Sequence, residues 1–299
     1  MTISAMIQKA LQEAGLQSNG ETFRKVTSSC IKSSTGQLYF VKTGSDISEF
    51  EQESESLKAL GAGSPDIVPK VYYCKSVSPG QAVMISDYFD LASKSRNSSV
   101  KLATKLASEL HNPDNSNSLS PTGKYGFHIG TCCGATEQDN TWEQDWMVFF
   151  RDRRIRDILD RIGDPELLEY GNQLCDKVIP VLLTNFEPAP APVILHGDLW
   201  AGNTASRTDT GSPVIYDPSS YYGHNEADLG IARMFGGFGR DFFDKYHEIR
   251  PRSQPLYEER AKLYELYHHL NHTLLFGGMY KYGAMRLMEE LLTSVGEAE

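Results

Sequence analysis

The sequence predicts an α+β protein in two lobes, a small β-rich lobe followed by a larger helical one. Three observations predict it. Short β-branched and aromatic runs bounded by turn residues crowd into the first ninety positions. Helical periodicity dominates after the polar stretch at 92–99, ASKSRNSS. Two acidic residues and one amide then surround short apolar runs between 193 and 217, early in the second lobe. Strands first and helices second is an α+β order, and no G-x-G-x-x-G occurs to suggest a dinucleotide-binding sheet. The lobes are drawn at 1–91 and 92–299.

The elements follow in order. Residues 1–15 (MTISAMIQKALQEAG) have the spacing of a short amphipathic helix, not of a signal or Arg-rich transit peptide. Residues 22–32 and 37–43 read as two strands around the turn Ser33-Ser34-Thr35-Gly36, the second carrying Leu38-Tyr39-Phe40-Val41-Lys42. Across 46–60, Ile47, Phe50, Leu57 and Leu60 recur at helical spacing with acids between them. Residues 71–77 and 82–86 are two more strands, parted by Ser78-Pro79-Gly80. The stretch 92–99 is the expected link. In the second lobe, Leu102, Leu106 and Leu110 mark a helix over 100–111, and 112–126 is an Asn/Ser/Pro-rich loop. Helices are expected at 142–161 and 167–183, a strand at 193–196, and helices near 225–235, 240–249, 256–275 and 278–293. Arg151, Arg153, Arg154 and Arg156, interleaved with Asp152 and Asp157, read as a solvated, salt-bridged helix face.

Composition narrows the function classes. A chain of 299 residues that is 40% hydrophobic and 23% charged can bury a sizeable core. A net charge of −10 argues against a nucleic-acid binder, which needs a basic surface. No apolar run reaches the roughly 18 residues of a membrane span. Five cysteines, an odd number with no C-x-x-C pair, read as free thiols in a reducing compartment, so a cytoplasmic location is expected.

The chemistry is concentrated in His196-Gly197-Asp198-Leu199-Trp200-Ala201-Gly202-Asn203 and the later Tyr216-Asp217-Pro218. H-G-D-x-x-x-x-N is close to the H-R-D-x-x-x-x-N catalytic loop of protein kinases, with a second Asp 14 positions beyond the Asn. These residue types suit phosphoryl transfer from Mg-ATP. Asp198 is placed to accept the proton of an attacking hydroxyl. Asn203 and Asp217 offer the oxygen ligands that magnesium prefers. His196 reads as a brace for the loop, not as a proton carrier. Lys42 ends an apolar strand, and on the following helix Glu53 is the best candidate partner, with Glu51 and Glu55 nearby, the order that holds nucleotide phosphates in a kinase. The phosphate-covering loop is expected at Thr27-Ser28-Ser29-Cys30, where Thr27, Ser28 and Ser29 stand in place of a glycine-rich turn. Cys30 reads either as a small buried residue or as an exposed, redox-sensitive thiol. Trp200 suits either the substrate or the core.

These residues carry a resemblance. HGDLWAGN followed by YDPSSYYGHNEADLG is similar to the fructosamine kinase (ketosamine 3-kinase) family, within the aminoglycoside-phosphotransferase-like kinases. Three more segments agree: FEQESESLKAL, YGFHIGTCCGATEQDNTWEQDWMVFFRDRRI and LYELYHHLNHTLLFGGMY. The resemblance implies a two-lobed protein-kinase-like fold, with ATP and magnesium as cofactors. It implies transfer of the γ-phosphate to the C3 hydroxyl of a ketosamine on a lysine amine. The 3-phosphate then eliminates and frees the amine, which is deglycation. It further implies that Asp87 and Tyr88 belong to the hinge that pairs adenine. Trp200, His224 and Glu226 would face the sugar, and Cys30 would be the site of a disulfide-linked homodimer. Glycated proteins, glycated lysine or other small glycated amines are the implied partners. Nucleic acid and membrane are not, and the chain is expected as a monomer or a Cys30-linked homodimer. Two alternatives stay open: a small-molecule kinase of the aminoglycoside or choline type, and a redox-responsive nucleotide-binding protein without catalysis.

Overall fold

The computed structural model describes residues 3–18 and 20–296. Helix α1 (Ala5–Glu13) starts where the Ser4 hydroxyl accepts the Ile7 N–H. Residues 1 and 2 of the expected helical stretch lie outside the described residues. Five antiparallel strands follow: β1 (Phe23–Lys25), β2 (Cys30–Ser33), β3 (Leu38–Gly44), β4 (Val71–Ser78) and β5 (Gln81–Asp87). They form one sheet in the order β1-β2-β3-β5-β4. The single strand expected over 22–32 is therefore two. The chain reverses at 26–29, where the N–H groups of Val26 and Thr27 both donate to the Cys30 carbonyl.

Two helices serve this sheet differently. Ala10 and Leu11 of α1 pack with Ile31, Val41, Tyr73, Val83 and Ile85 in a small separate core. Helix α2 (Ile47–Gly63), capped by the Asp46 carboxylate on the Ser48 N–H, lies against β4 and β5. Its Leu57 and Leu60 belong instead to the large core of the second lobe. Thus α2 ties the lobes together, and the polar side chains on its remaining face border the gap between them.

The polar stretch at 92–99 is only partly a link. Strand β6 (Leu91–Ala92) has already joined the second lobe, because Ala92 pairs with Ser206. Helix α3 (Arg96–Lys105) begins four residues earlier than its apolar spacing suggests, since Ser95 and Ser98 cap it reciprocally. It continues through a wider π-type segment, Leu106–Leu110. A hairpin of β7 (Thr131–Cys133) and β8 (Thr136–Gln138), unexpected from the sequence, follows.

The Asp145 carboxylate then sets the next helix start at α4 (Trp146–Phe150), later than the expected 142. That helical run continues through Arg151–Arg156 into α5 (Asp157–Ile162). A second run joins α6 (Pro165–Gln173), Leu174–Val178 and α7 (Ile179–Leu183). The arginine face needs one correction. Arg154 is 1% exposed and turns inward, onto the Asp139 carbonyl and Asn140 Oδ1, with its guanidinium over the rings of Phe149 and Tyr221. Arg151, Arg153 and Arg156 do make surface ion pairs, with Asp152, Asp139 and Asp176.

Four short strands build the centre of the second lobe: β9 (Val193–Leu195), β10 (Thr204–Arg207), β11 (Pro213–Ile215) and β12 (Tyr221–Gly223). β9 pairs with β12, and β10 with β11, all antiparallel. The loops leaving β9 and β11 meet, the Ser219 N–H donating to the His196 carbonyl at 2.8 Å. A short 3-10 turn, Asn225–Leu229, leads into α8 (Gly230–Met234). Helices α9 (Arg240–Ile249), α10 (Tyr257–Phe276) and α11 (Met279–Gly296) complete the lobe.

Candidate active site

Between the lobes lies a cleft in two connected halves. One, of about 540 Å³, is lined by residues including Phe40, Lys42, Glu53, Ser86, Tyr88 and Val214. The other, of about 690 Å³, is lined by residues including Gln52, Cys132, Asp198, Trp200 and Asn203. Both are bordered by Glu53 and Asp217.

At the first half, β3 aims Lys42 at Glu53 on α2, with the ammonium 2.8 and 2.6 Å from the two carboxylate oxygens. The same ammonium reaches Asp217 Oδ1 at 3.4 Å. Burial alone would lower the Lys42 pKa. The adjoining Glu53 and Asp217 carboxylates outweigh it and raise the pKa, so the lysine stays charged. Asp87 and Tyr88, at the end of β5, line this half. The Asp87 carboxylate is already engaged: it accepts the Lys70 N–H at 3.0 Å and the Tyr72 hydroxyl at 2.7 Å. Its side chain thus fixes the strand end, and its own N–H donates to the Lys70 carbonyl at 3.0 Å.

The loop after β9 presents Asp198. Gly197 makes the turn at φ +81, and a Cβ there would lie 1.9 Å from the Ser219 carbonyl oxygen. No other residue fits this close backbone approach. His196 is fully buried. Its Nε2 faces the Tyr216 carbonyl at 3.1 Å, while Nδ1 accepts the Asp198 N–H at 3.2 Å. Those partners fix one neutral tautomer, and burial lowers the imidazole pKa. His196 is the brace the sequence suggested, linking the Asp198 loop to the residue before Asp217.

Asn203 completes the constellation. Its amide nitrogen donates to the Asp198 main-chain oxygen and to Asp198 Oδ2, both at 3.0 Å. Its carbonyl oxygen is left without a donor among the described residues. Burial raises the Asp198 carboxyl to about 6, with Asp228 and Asp217 adding repulsion and Asn203 opposing it. Asp217 has a left-handed backbone, φ +52, a conformation that aspartate adopts more readily than most residues. Its side chain is 58% exposed, facing the cleft.

Trp200 stands 38% exposed on the second half, its ring over Gly202 and 5.8 Å from the Phe235 ring. It belongs to the cleft and not to the core.

Other expected site residues are elsewhere. His224 is 1% exposed, sandwiched near Trp146 and Phe186, with Nδ1 on the Tyr264 hydroxyl at 2.8 Å. Glu226 is 3% exposed and holds Arg260 at 2.7 Å and the Ser253 N–H at 2.9 Å. Neither lines the cleft. Both hold the 3-10 turn against α10, so the expected sugar contacts at these positions are corrected. Ser28 and Ser29 form the tip of the β1–β2 turn and line neither half of the cleft. Cys30 is not in that turn. It opens β2 at 2% exposed, and burial raises its thiol pKa. That burial fits the reading of Cys30 as a small buried residue.

One functional residue went unassigned in the sequence. Asp228 is buried, and its carboxylate accepts the N–H groups of His196 and Gly197 and contacts His111 Nε2 at 3.2 Å. The signal was present as the Asp of the NEADL segment, but only the fold brings it under the loop.

Comparisons with known proteins give the family. The Fructosamine kinase family model matches residues 2–294. The chain belongs to the fructosamine kinase family. It is 39% identical over 270 residues to the chloroplastic protein-ribulosamine 3-kinase of Oryza sativa subsp. indica, covering 88% of this chain and 75% of that one. It is 36% identical over 290 residues to the ketosamine-3-kinase of Mus musculus, covering 86% and 91%. Among solved structures, a candidate fructosamine-3-kinase from Haemophilus somnus 129PT superposes with a TM-score of 0.77 at 25% identity, over 96% of each chain. The aminoglycoside phosphotransferase APH(4)-Ia, in a thermostable mutant, shares the fold at TM-score 0.56 and 14% identity, over 97% and 98%. This family member therefore has the kinase-like α+β fold that its sequence predicted.

Proposed function

We propose that this chain is an ATP-dependent ketosamine 3-kinase. The observation that carries the reading is that Asp198 lines the half of the cleft beyond Asp217, while Lys42 lines the half before it. ATP would lie on the Lys42 side, and the ketosamine on the Asp198 and Trp200 side. The C3 hydroxyl oxygen attacks the γ-phosphorus, the bond from that phosphorus to the ADP oxygen breaks, and the hydroxyl proton passes to Asp198. The transition state is loose, so Asp198 acts chiefly by orienting the hydroxyl, and Lys42 by holding phosphate charge. A carboxyl lifted to about 6 is mostly ionised at neutral pH and still able to take a proton.

Asp217 and Asn203 are the residues that would hold magnesium. The exposed Asp217 carboxylate and the free Asn203 carbonyl oxygen fit that role. Among the described residues no group of three or more His, Cys, Asp or Glu could hold a metal alone. That suits magnesium, which takes one or two protein ligands and completes its shell with water and phosphate. When bound, it would neutralise phosphate charge.

The elimination that follows 3-phosphorylation makes deglycation the expected consequence. Among the described residues no helix is long and apolar enough to cross a membrane, and a cytoplasmic setting remains part of the proposal. Phosphorus NMR with Mg-ATP and either ribulose-lysine or fructose-lysine tests the reading. A ketosamine 3-phosphate signal is expected, and in Asp198→Ala it should fall by about 10²-fold or more. ATP binding with no phosphorylated product from either sugar would overturn it.

A further inference from the structure

A continuous run of aromatic side chains leaves the Asp198 half of the cleft and crosses onto the surface. It starts at Trp200, passes to Phe235 at 5.8 Å between ring centroids, and then to His272 at 4.9 Å. From His272 it divides to Phe276 at 5.6 Å and Tyr280 at 5.0 Å. The outer end is built from the last turn of α10 and the first of α11. Trp200 is 38% exposed, Phe235 40% and Phe276 68%, with His272 and Tyr280 half-buried between them, and at the start of α11 Met279 and Tyr282 stand 85% and 77% exposed beside the run. The five exposed ones are most of the eight exposed large hydrophobic residues among those described. An apolar patch so concentrated marks an interaction surface.

We propose that this ridge docks the polypeptide around a glycated lysine, with apolar and basic residues flanking that lysine. The proposal rests on the ketosamine reading and names the form of its substrate. Continuity with the cleft is the first argument. A sugar bound at Asp198 and Trp200 leaves its amine carrier to exit along the ring run. The ridge then extends three ring-to-ring steps beyond Trp200, farther than a free glycated amine has groups to fill. Charge is the second. Aromatic faces attract Lys and Arg side chains, and the net charge of −10 is compatible with a basic partner. A second copy is the poorer occupant, since an isologous contact over the ridge would cover Trp200 and cap the cleft.

The test compares kcat/KM of two acceptors. One is free ribulose-lysine; the other is a peptide with ribulose-lysine at its centre, flanked by Leu and Arg. The wild type should prefer the peptide, and flanks of Ser and Asp should abolish the preference. In Phe276→Ser/Met279→Ser, kcat/KM for the peptide should fall about tenfold, mostly through KM, with the free acceptor unaffected. The exposed single variant Met279→Gln provides the same comparison if the double variant unfolds at a lower temperature. Equal loss on both acceptors, or no preference in the wild type, overturns the ridge while leaving the kinase reading intact. A wild-type dimer that becomes monomeric in the variant, by light scattering, makes a second copy the occupant and also overturns it. Phosphorylation of neither acceptor refutes the ketosamine reading itself.

Discussion

The Asp228 carboxylate accepts the His196 N–H on Oδ2 and the Gly197 N–H on Oδ1, each at 2.8 Å. One buried side chain thereby fixes the backbone that aims Asp198. Burial would raise its pKa, but His111, His196 and these N–H bonds hold it below the ordinary carboxylate range. Asp228→Asn keeps the shape but turns an NH2 group toward one of the two N–H donors. A buried donor left unpaired costs about 1–3 kcal/mol. The variant should lose kcat about tenfold or more while the KM for ATP changes little, because Lys42 and Glu53 lie on the other lobe. Steady-state kinetics with varied ATP would check this; a change confined to the KM for ATP would contradict it.

Gly197→Ala should be among the most damaging single-methyl additions in the chain. The new Cβ meets backbone, the Ser219 carbonyl oxygen at 1.9 Å, and not a yielding side chain. The turn must open, moving Asp198 away from Asn203. A loss of about 3 kcal/mol or more in unfolding free energy is expected, along with loss of activity. Urea denaturation measures the first part. Wild-type stability in this variant would show that the loop adapts.

Glu226→Gln separates the corrected reading from the original one. Glu226 and Arg260 are both buried and bonded at 2.7 Å. Removing one charge leaves the other uncompensated, costing about 3–5 kcal/mol. The melting temperature should fall, while the KM for the ketosamine, measured well below it, stays near the wild-type value. A rise in that KM without loss of stability would restore Glu226 to the sugar site.

Stability should decline on the acid side of neutrality. Burial depresses the pKa of His196, brings that of His224 to about 4 and that of His268 to about 3. The unfolded chain binds these protons near pH 6.5, whereas the folded chain resists them. The stabilisation is therefore complete above about pH 6.5 and is lost as pH falls toward 4, by at most about 1.4 kcal/mol per pH unit for each imidazole. Melting temperatures between pH 7 and 4.5 measure the slope, which His224→Phe should reduce if the variant packs well. A flat profile would mean that these imidazoles are not held neutral.

The sequence alone determined the order of strands and helices, the loop residues Asp198 and Asn203, and Asp217. It also put Lys42 at a strand end and Glu51, Glu53 and Glu55 on the next helix, of which the fold brings Glu53 onto the lysine. All of these are local: periodicity of 2 or 3.6, and short spacings within one loop or between a strand and the next helix. The helix starts at Arg96 and Trp146 were displaced by capping side chains, Ser95 and Asp145, which hydrophobic spacing does not register. Tertiary structure alone decided which polar residues of a motif face the cleft. His224 and Glu226 sit in the same run as Asp217, yet α10 brings Tyr264 and Arg260 onto them and takes them inside. Arg154 goes inward while its neighbours stay out, because only its position on the helix meets Asn140 and Tyr221. Asp228 comes under a loop thirty residues earlier, and the ring run from Trp200 to Tyr280 joins four separate segments. Burial and long-range pairing are properties of the packed chain, and no spacing along the sequence encodes them directly.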